Sequence, residues 1–136
     1  MADLSPEDRA LLDAAATARL NALAPISGYQ VGAAVRLHDG TIVPGCNVEN
    51  WVLPVSICAE HGAIAAATAR GTHRFEVVAV FTPSSPPAVP CGNCRQILHN
   101  HGVTRVLLGN PEGEVRQLTL AELLPFPFDF ERDSPG

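Results

Sequence analysis

Apolar and polar positions change period several times along the chain, and each change marks an element. At the start, Leu12, Ala16, Leu20 and Leu23 recur three to four residues apart, the spacing of one helical face. Ser5 suits the N-cap and Pro6 the first helical position, while Glu7 and Asp8 complement the helix dipole. Pro25 ends the run. This predicts a surface helix laid on a sheet. Residues 33–38 and 41–46 are strand-like, and Asp39-Gly40 between them is a hairpin signal. The polar stretch Gly45-Cys46-Asn47-Val48-Glu49-Asn50 sits at the mouth of the second strand. Residues 51–56 form a loop around Pro54.

A second helix is predicted over 58–69, with Gly71 as terminator. Its apolar face, Ala63, Ile64 and Ala67, is thin enough to lie close against a sheet. Residues 77–81 are continuously apolar, as in a strand covered on both faces. The segment 83–90 is proline-rich and reads as a connection. A third helix begins near Gly92 and ends before Gly102. Strands at 103–108 and 115–118 flank the turn Asn110-Pro111-Glu112-Gly113. Thr119 to Glu122 is a capping-box start to a short last helix, broken by Pro125. Phe126, Phe128 and Phe130 follow in an apolar tail, which docks on its own domain or on a neighbour. Residues from 131 onward are expected to lack order. Helices alternating with strands imply an α/β chain, a three-layer α/β/α domain on a five-stranded mixed sheet. No internal repeat and no second domain is visible, so residues 1–136 are expected to form one domain.

Composition narrows the function. At 136 residues and 46% hydrophobic, the chain can bury one core. Its net charge of −5 and lack of any Lys/Arg cluster argue against a nucleic-acid partner. No apolar run reaches a membrane span, and the N-terminus has no signal pattern. Four cysteines would allow two disulfides. The Cys-x-x-Cys spacing and an adjacent acid favour metal and a reducing compartment, hence a cytoplasmic protein.

The chemistry concentrates in Cys58-Ala59-Glu60 and Pro90-Cys91-Gly92-Asn93-Cys94. Cys58, Cys91 and Cys94 are three metal ligands, and a three-ligand zinc keeps a position for water. Glu60 is an acid placed to move that water's protons. All three cysteines fall in the first turns of the second and third helices, where free amides and the helix dipoles favour thiolates. Three thiolates on Zn²⁺ leave one net negative charge, which the two dipoles and Arg95 can offset. A closed structural centre fits the same spacing, with His61 or Cys46 as fourth ligand. Asn47 and Glu49 alternate in an extended segment and share one side. They suit vicinal sugar hydroxyls, or are a turn former and a solvated acid. Tyr29 either stacks on a base or plugs the core edge.

Five segments carry a family resemblance in the right order. They are Gly28-Tyr29-Gln30-Val31-Gly32-Ala33-Ala34, Gly45 to Asn50, Ile57 to Glu60, Pro90-Cys91-Gly92-Asn93-Cys94-Arg95-Gln96, and Glu122-Leu123-Leu124-Pro125 with Phe128. Together they resemble the small homotetrameric zinc-dependent cytidine deaminases, over about residues 24–128. The metal motifs also match the signature of zinc deaminases in general. The resemblance implies zinc on Cys58, Cys91 and Cys94, and Glu60 carrying protons to N3 of the base and to the leaving ammonia. It implies that the Ala59 amide holds the base carbonyl, that Asn47 and Glu49 hold ribose hydroxyls, and that Tyr29 stands where a stacking Phe is usual. Phe128 would reach a neighbouring subunit's site.

Three positions depart from that pattern. His61 stands where Arg usually neutralises the thiolates. Its charge depends on pH, so activity or zinc affinity is expected to fall more steeply with rising pH than in an Arg-bearing relative. Trp51 replaces a small residue and Leu53 a frequent Tyr, so both can reshape the sugar end of the pocket. The expected function is hydrolytic deamination of cytidine and 2′-deoxycytidine. The alternatives are deamination of a modified cytosine nucleoside such as blasticidin S, nucleic-acid editing, which the charge opposes, and a non-catalytic zinc-stabilised interaction domain.

Overall fold

The computed structural model describes residues 3–129. The predicted helix starts where the cap signals place it. Helix α1 runs Pro6–Ala18, and Ser5 Oγ accepts from the Asp8 amide. Its buried stripe is Leu11, Leu12, Ala15 and Ala18, not the stripe read from Leu12, Ala16, Leu20 and Leu23. The helix gives way to a single 3₁₀ turn, Arg19–Asn21, so the later leucines leave its phase. Leu20 is 67% exposed.

The strands are β1 Gly32–Arg36, β2 Ile42–Cys46, β3 Val77–Phe81, β4 Arg105–Gly109 and β5 Val115–Thr119. They order as β2-β1-β3-β4-β5. Strand β1 is antiparallel to β2 and β3, β3 and β4 are parallel, and β5 returns antiparallel to β4. The β1–β2 turn uses Gly40 at φ +90°, a backbone state that glycine adopts at little cost. Helices α2 Ala59–Ala69 and α3 Gly92–Asn100 lie on one face, and α1 on the other. Alternation along β1 and β3 sorts the side chains. Ala33, Val35, Val78 and Val80 join the α2/α3 core, whereas Ala34 and Ala79 join α1. The apolar run at 77–81 is therefore covered on both faces, as expected.

Two glycines let helices sit on bare backbone. A Cβ on Gly32 would stand 1.9 Å from the Ala15 carbonyl oxygen, and one on Gly45 would stand 2.3 Å from the Ala63 nitrogen. The second contact fixes α2 against β2, and so fixes where α2 begins. Gly71, at φ +99°, closes α2 as predicted. The reciprocal capping box of Thr119 and Glu122 opens α4, Leu120–Leu123. Phe130 and the residues from 131 onward, expected to lack order, lie outside the described residues.

Candidate active site

Helices α2 and α3 both start at the C-terminal end of β3, the edge where open α/β sheets place their ligands. Cys58 is the N-cap of α2 and Cys91 that of α3, both in extended backbone; Cys94 lies in the first turn of α3, as expected. The cysteines thus stand at or just inside the two helix starts, rather than all within first turns. The three Sγ atoms lie within 4.8 Å of one another, and Cys58 and Cys91 Sγ are 3.8 Å apart. A tetrahedral zinc with bonds of about 2.3 Å needs sulfurs about 3.8 Å apart. The donor set therefore fits zinc in chemistry and in spacing. Among the described residues, neither His61 nor Cys46 joins this cluster. Cys46 borders a different hollow with Ala14, Asn21 and Pro44. The geometry thus supports three protein ligands and an open fourth position.

Charge within the cluster settles on Cys58. Hydrogen bonding from Cys94, with further help from Cys91 and the charge of His61, lowers the Cys58 thiol to about 6. Cys94 gives that hydrogen bond and is buried, which pushes its own thiol up. The Cys94 amide also donates to Cys91 Sγ at 3.5 Å.

Glu60 is only 4% exposed. Loss of hydration, reinforced by the Cys58 charge, raises its carboxyl to about 7. A carboxyl poised there can take and give protons near neutrality.

The cleft above this cluster has a volume of about 480 Å³. It brings together Tyr29, Asn47, Glu49, Cys58, Ala59, Glu60 and Cys91, which lie far apart in sequence. Ala59 is the first residue of α2, so its amide is among those with no intrahelical acceptor. Asn47 and Glu49 are neither a bare turn former nor a free acid. Asn47 Oδ1 accepts from the Val31 amide and its Nδ2 donates to the Tyr29 carbonyl, both at 2.8 Å. Glu49 accepts from the Ile26 and Ser27 amides at 2.9 and 3.0 Å and from the Ser27 hydroxyl. Those bonds, led by the Ser27 hydroxyl, hold the Glu49 carboxyl below its ordinary range. The two side chains therefore shape the loop that carries Tyr29, and the carboxylate keeps a lone-pair site for a ligand.

Other expected residues stand apart from the cleft lining. His61 is exposed, and its ring has no hydrogen bond to sulfur among the described residues. Arg95 donates to the carbonyls of Pro90 at 2.8 Å and Leu123 at 2.7 Å, tying the start of α3 to the end of α4. Phe128 lies along α3: its amide donates to Gln96 Oε1 at 3.1 Å and its carbonyl accepts from Gln96 Nε2 at 2.7 Å. Trp51 is 79% exposed. Sequence reading missed Ser27, Ser56, Thr82, Ala88 and Val89, all on the cleft wall. Ser27 was findable beside Tyr29. Thr82, Ala88 and Val89 sit at or within the segment read only as a connection.

Fold and site together define a three-layer α/β/α protein built around a three-thiolate metal site with a buried carboxyl beside it. Residues 5–110 match the family model for the cytidine and deoxycytidylate deaminase zinc-binding region. The chain is 37% identical over 123 residues to a cytidine deaminase of Halalkalibacterium halodurans, covering 89% of this chain and 93% of that one. It is 29% identical over 134 residues to a blasticidin-S deaminase of Bacillus cereus, covering 93% and 95%. The crystal structure of cytidine deaminase from Burkholderia pseudomallei superposes with a TM-score of 0.84 at 39% identity, covering 92% of this chain and all of that one. The chain belongs to the cytidine and deoxycytidylate deaminase family, a zinc-binding one. Its match starts at Ser5, the N-cap of α1, earlier than the motifs alone suggested.

Proposed function

We propose that this protein deaminates cytidine and 2′-deoxycytidine hydrolytically, giving the uridines and ammonia. The observation that carries this reading is the pairing of a buried, near-neutral Glu60 with a three-sulfur cluster in one cleft. Cys58, Cys91 and Cys94 would hold the zinc, and their two helix N-termini offset the excess thiolate charge. Zinc held there would supply a water whose pKa is brought near neutrality. Glu60 would take a proton from the attacking water and deliver it to N3 of the base as oxygen adds to C4 and the N3=C4 double bond opens. Glu60 would then carry the remaining proton of the added hydroxyl to the 4-amino group; the C4–N4 bond breaks as the C4=O bond forms, and ammonia leaves. The Ala59 amide orients the base carbonyl, Asn47 and Glu49 the ribose, and Tyr29 the base face. The buried Val80 and the partly buried Val31 line the cleft and present apolar surface to the ring.

The cytidine reading is favoured over blasticidin S by the closer match to cytidine deaminases. Trp51 and His61, the departures that kept the antibiotic in view, are both exposed and neither lines the cleft. The open fourth metal position argues against a purely structural zinc domain. The reading takes the chain as one deaminase domain. A homotetramer is part of it, supported by the exposed apolar run Trp51, Val52, Leu53 and Val55 and by Phe128. Among the described residues no helix is long and apolar enough to cross a membrane. Free thiols serving a metal support a reducing, cytoplasmic setting.

The test is the ultraviolet change on mixing zinc-loaded protein with cytidine, beside Glu60→Ala. Conversion to uridine that vanishes in the variant, with zinc retained, supports the reading. Turnover by the variant removes Glu60 from its role, and no turnover by the zinc-loaded wild type removes the reading.

A further inference from the structure

One link on the cleft wall plays no part in the chemistry above. Tyr29 is the only tyrosine in the chain, and its hydroxyl shares a hydrogen bond with Ser84 Oγ, 55 positions away in sequence. The bond ties the loop that Asn47 and Glu49 hold in place to the segment after β3. That segment carries Ala88 and Val89, which line the cleft with Tyr29. It is itself braced. Thr82 Oγ1 accepts from the Ala88 amide at 3.1 Å. Asn110, 2% exposed, donates to the Ser84 carbonyl at 2.9 Å and to Glu114 Oε1 at 2.9 Å. The Glu114 amide returns to Asn110 Oδ1 at 3.0 Å, and the Ser85 hydroxyl donates to Glu114. Ser84 is thus a fixed post, backed by a buried amide.

Tyr29 is about one-third exposed, so packing alone holds its ring weakly. Its hydroxyl anchor does the rest. We propose that Tyr29 and Ser84 form a specificity latch. It fixes the distance between the Tyr29 ring and the Ala88–Val89 wall, and so limits the girth of the pyrimidine base admitted. Ser84 is a positioning residue that acts through Tyr29. The substrate class discriminated is cytosine nucleosides by the size of their ring substituents. The kinetic part of this inference rests on the cytidine reading above.

Two measurements test it. Nitration by tetranitromethane, followed as nitrotyrosine absorbance so that thiol oxidation by the same reagent is not counted, reads the single tyrosine and needs no turnover. Ser84→Ala is expected to nitrate several-fold faster than wild type, and Ser84→Thr, which keeps the hydroxyl, to behave as wild type. Equal rates for Ser84→Ala and wild type overturn the latch. In kinetics, losing one net neutral hydrogen bond predicts a KM for cytidine raised about two- to tenfold in Ser84→Ala and in Tyr29→Phe. In Ser84→Ala kcat should stay within about twofold, and the double variant should be no worse than either single one. The ratio of kcat/KM for 5-methylcytidine to that for cytidine should rise in Ser84→Ala. Multiplying losses in the double variant, or an unchanged ratio, overturn the specificity role. If the wild type does not turn over cytidine, the cytidine reading fails while nitration still decides the latch.

Discussion

Replacing Glu60 by Gln should stabilise the metal-free protein at alkaline pH while abolishing activity of the zinc-loaded form. Glu60 is buried, and its carboxyl rises from 4.5 to about 7 on folding. The folded state therefore holds a proton that the unfolded state releases between those values. For this group, stability is fullest below pH 4.5 and falls as pH rises through 7. That rise of the carboxyl on folding corresponds to about 3 kcal/mol. An amide carries no such charge, so wild type and Glu60→Gln should be nearly equal in stability at pH 5. At pH 8.5 the variant should lead by up to about 3 kcal/mol, roughly 10 °C in melting temperature for a domain of this size. Cys58 acts with the opposite sign: its thiol is lowered to about 6, so its contribution grows as pH rises from 6 towards 9. Comparing the two proteins at each pH cancels most of it. The assay is denaturant unfolding of chelator-treated, reduced protein at both pH values, beside cytidine turnover of the zinc-loaded proteins. A stability difference that is the same at pH 5 and pH 8.5 would refute the argument that desolvation sets the Glu60 carboxyl.

Other consequences follow from single contacts. Gly45→Ala places a Cβ 2.3 Å from the Ala63 nitrogen, and should cost about 1–3 kcal/mol by overpacking; thermal unfolding and zinc content report it together, since α2 must move. His61→Ala should keep its zinc by elemental analysis, whereas Cys58→Ser should lose most of it; metal loss in His61→Ala would restore the closed structural centre. Ser27→Ala removes a hydroxyl that donates to Glu49 and accepts from the Tyr29 amide at 2.9 Å; the KM for cytidine should rise several-fold with kcat little changed.

The sequence by itself determined the elements and the chemistry. Local rules are enough for Ser5 with Pro6, Gly40, Gly71 and the Thr119–Glu122 capping box, because each acts within a few residues. The continuous apolar run of β3 declared a strand buried on both faces, and the Cys-x-x-Cys spacing with the Cys-Ala-Glu run declared a metal beside an acid. The helix-face reading of α1 failed where the helix stops at Ala18, since a period cannot say where a helix will yield to a turn. Tertiary structure alone decided the rest. That Cys58 and Cys91 cap different helices yet lie 3.8 Å apart depends on both helices starting at the end of β3. That His61 and Cys46 stay out of the cluster depends on α2 sitting against Gly45. The Tyr29–Ser84 bond and the Asn47–Glu49 hold on residues 26–31 join segments between 16 and 55 positions apart. Such pairings follow from the order of strands in the sheet, and a linear pattern does not encode that order.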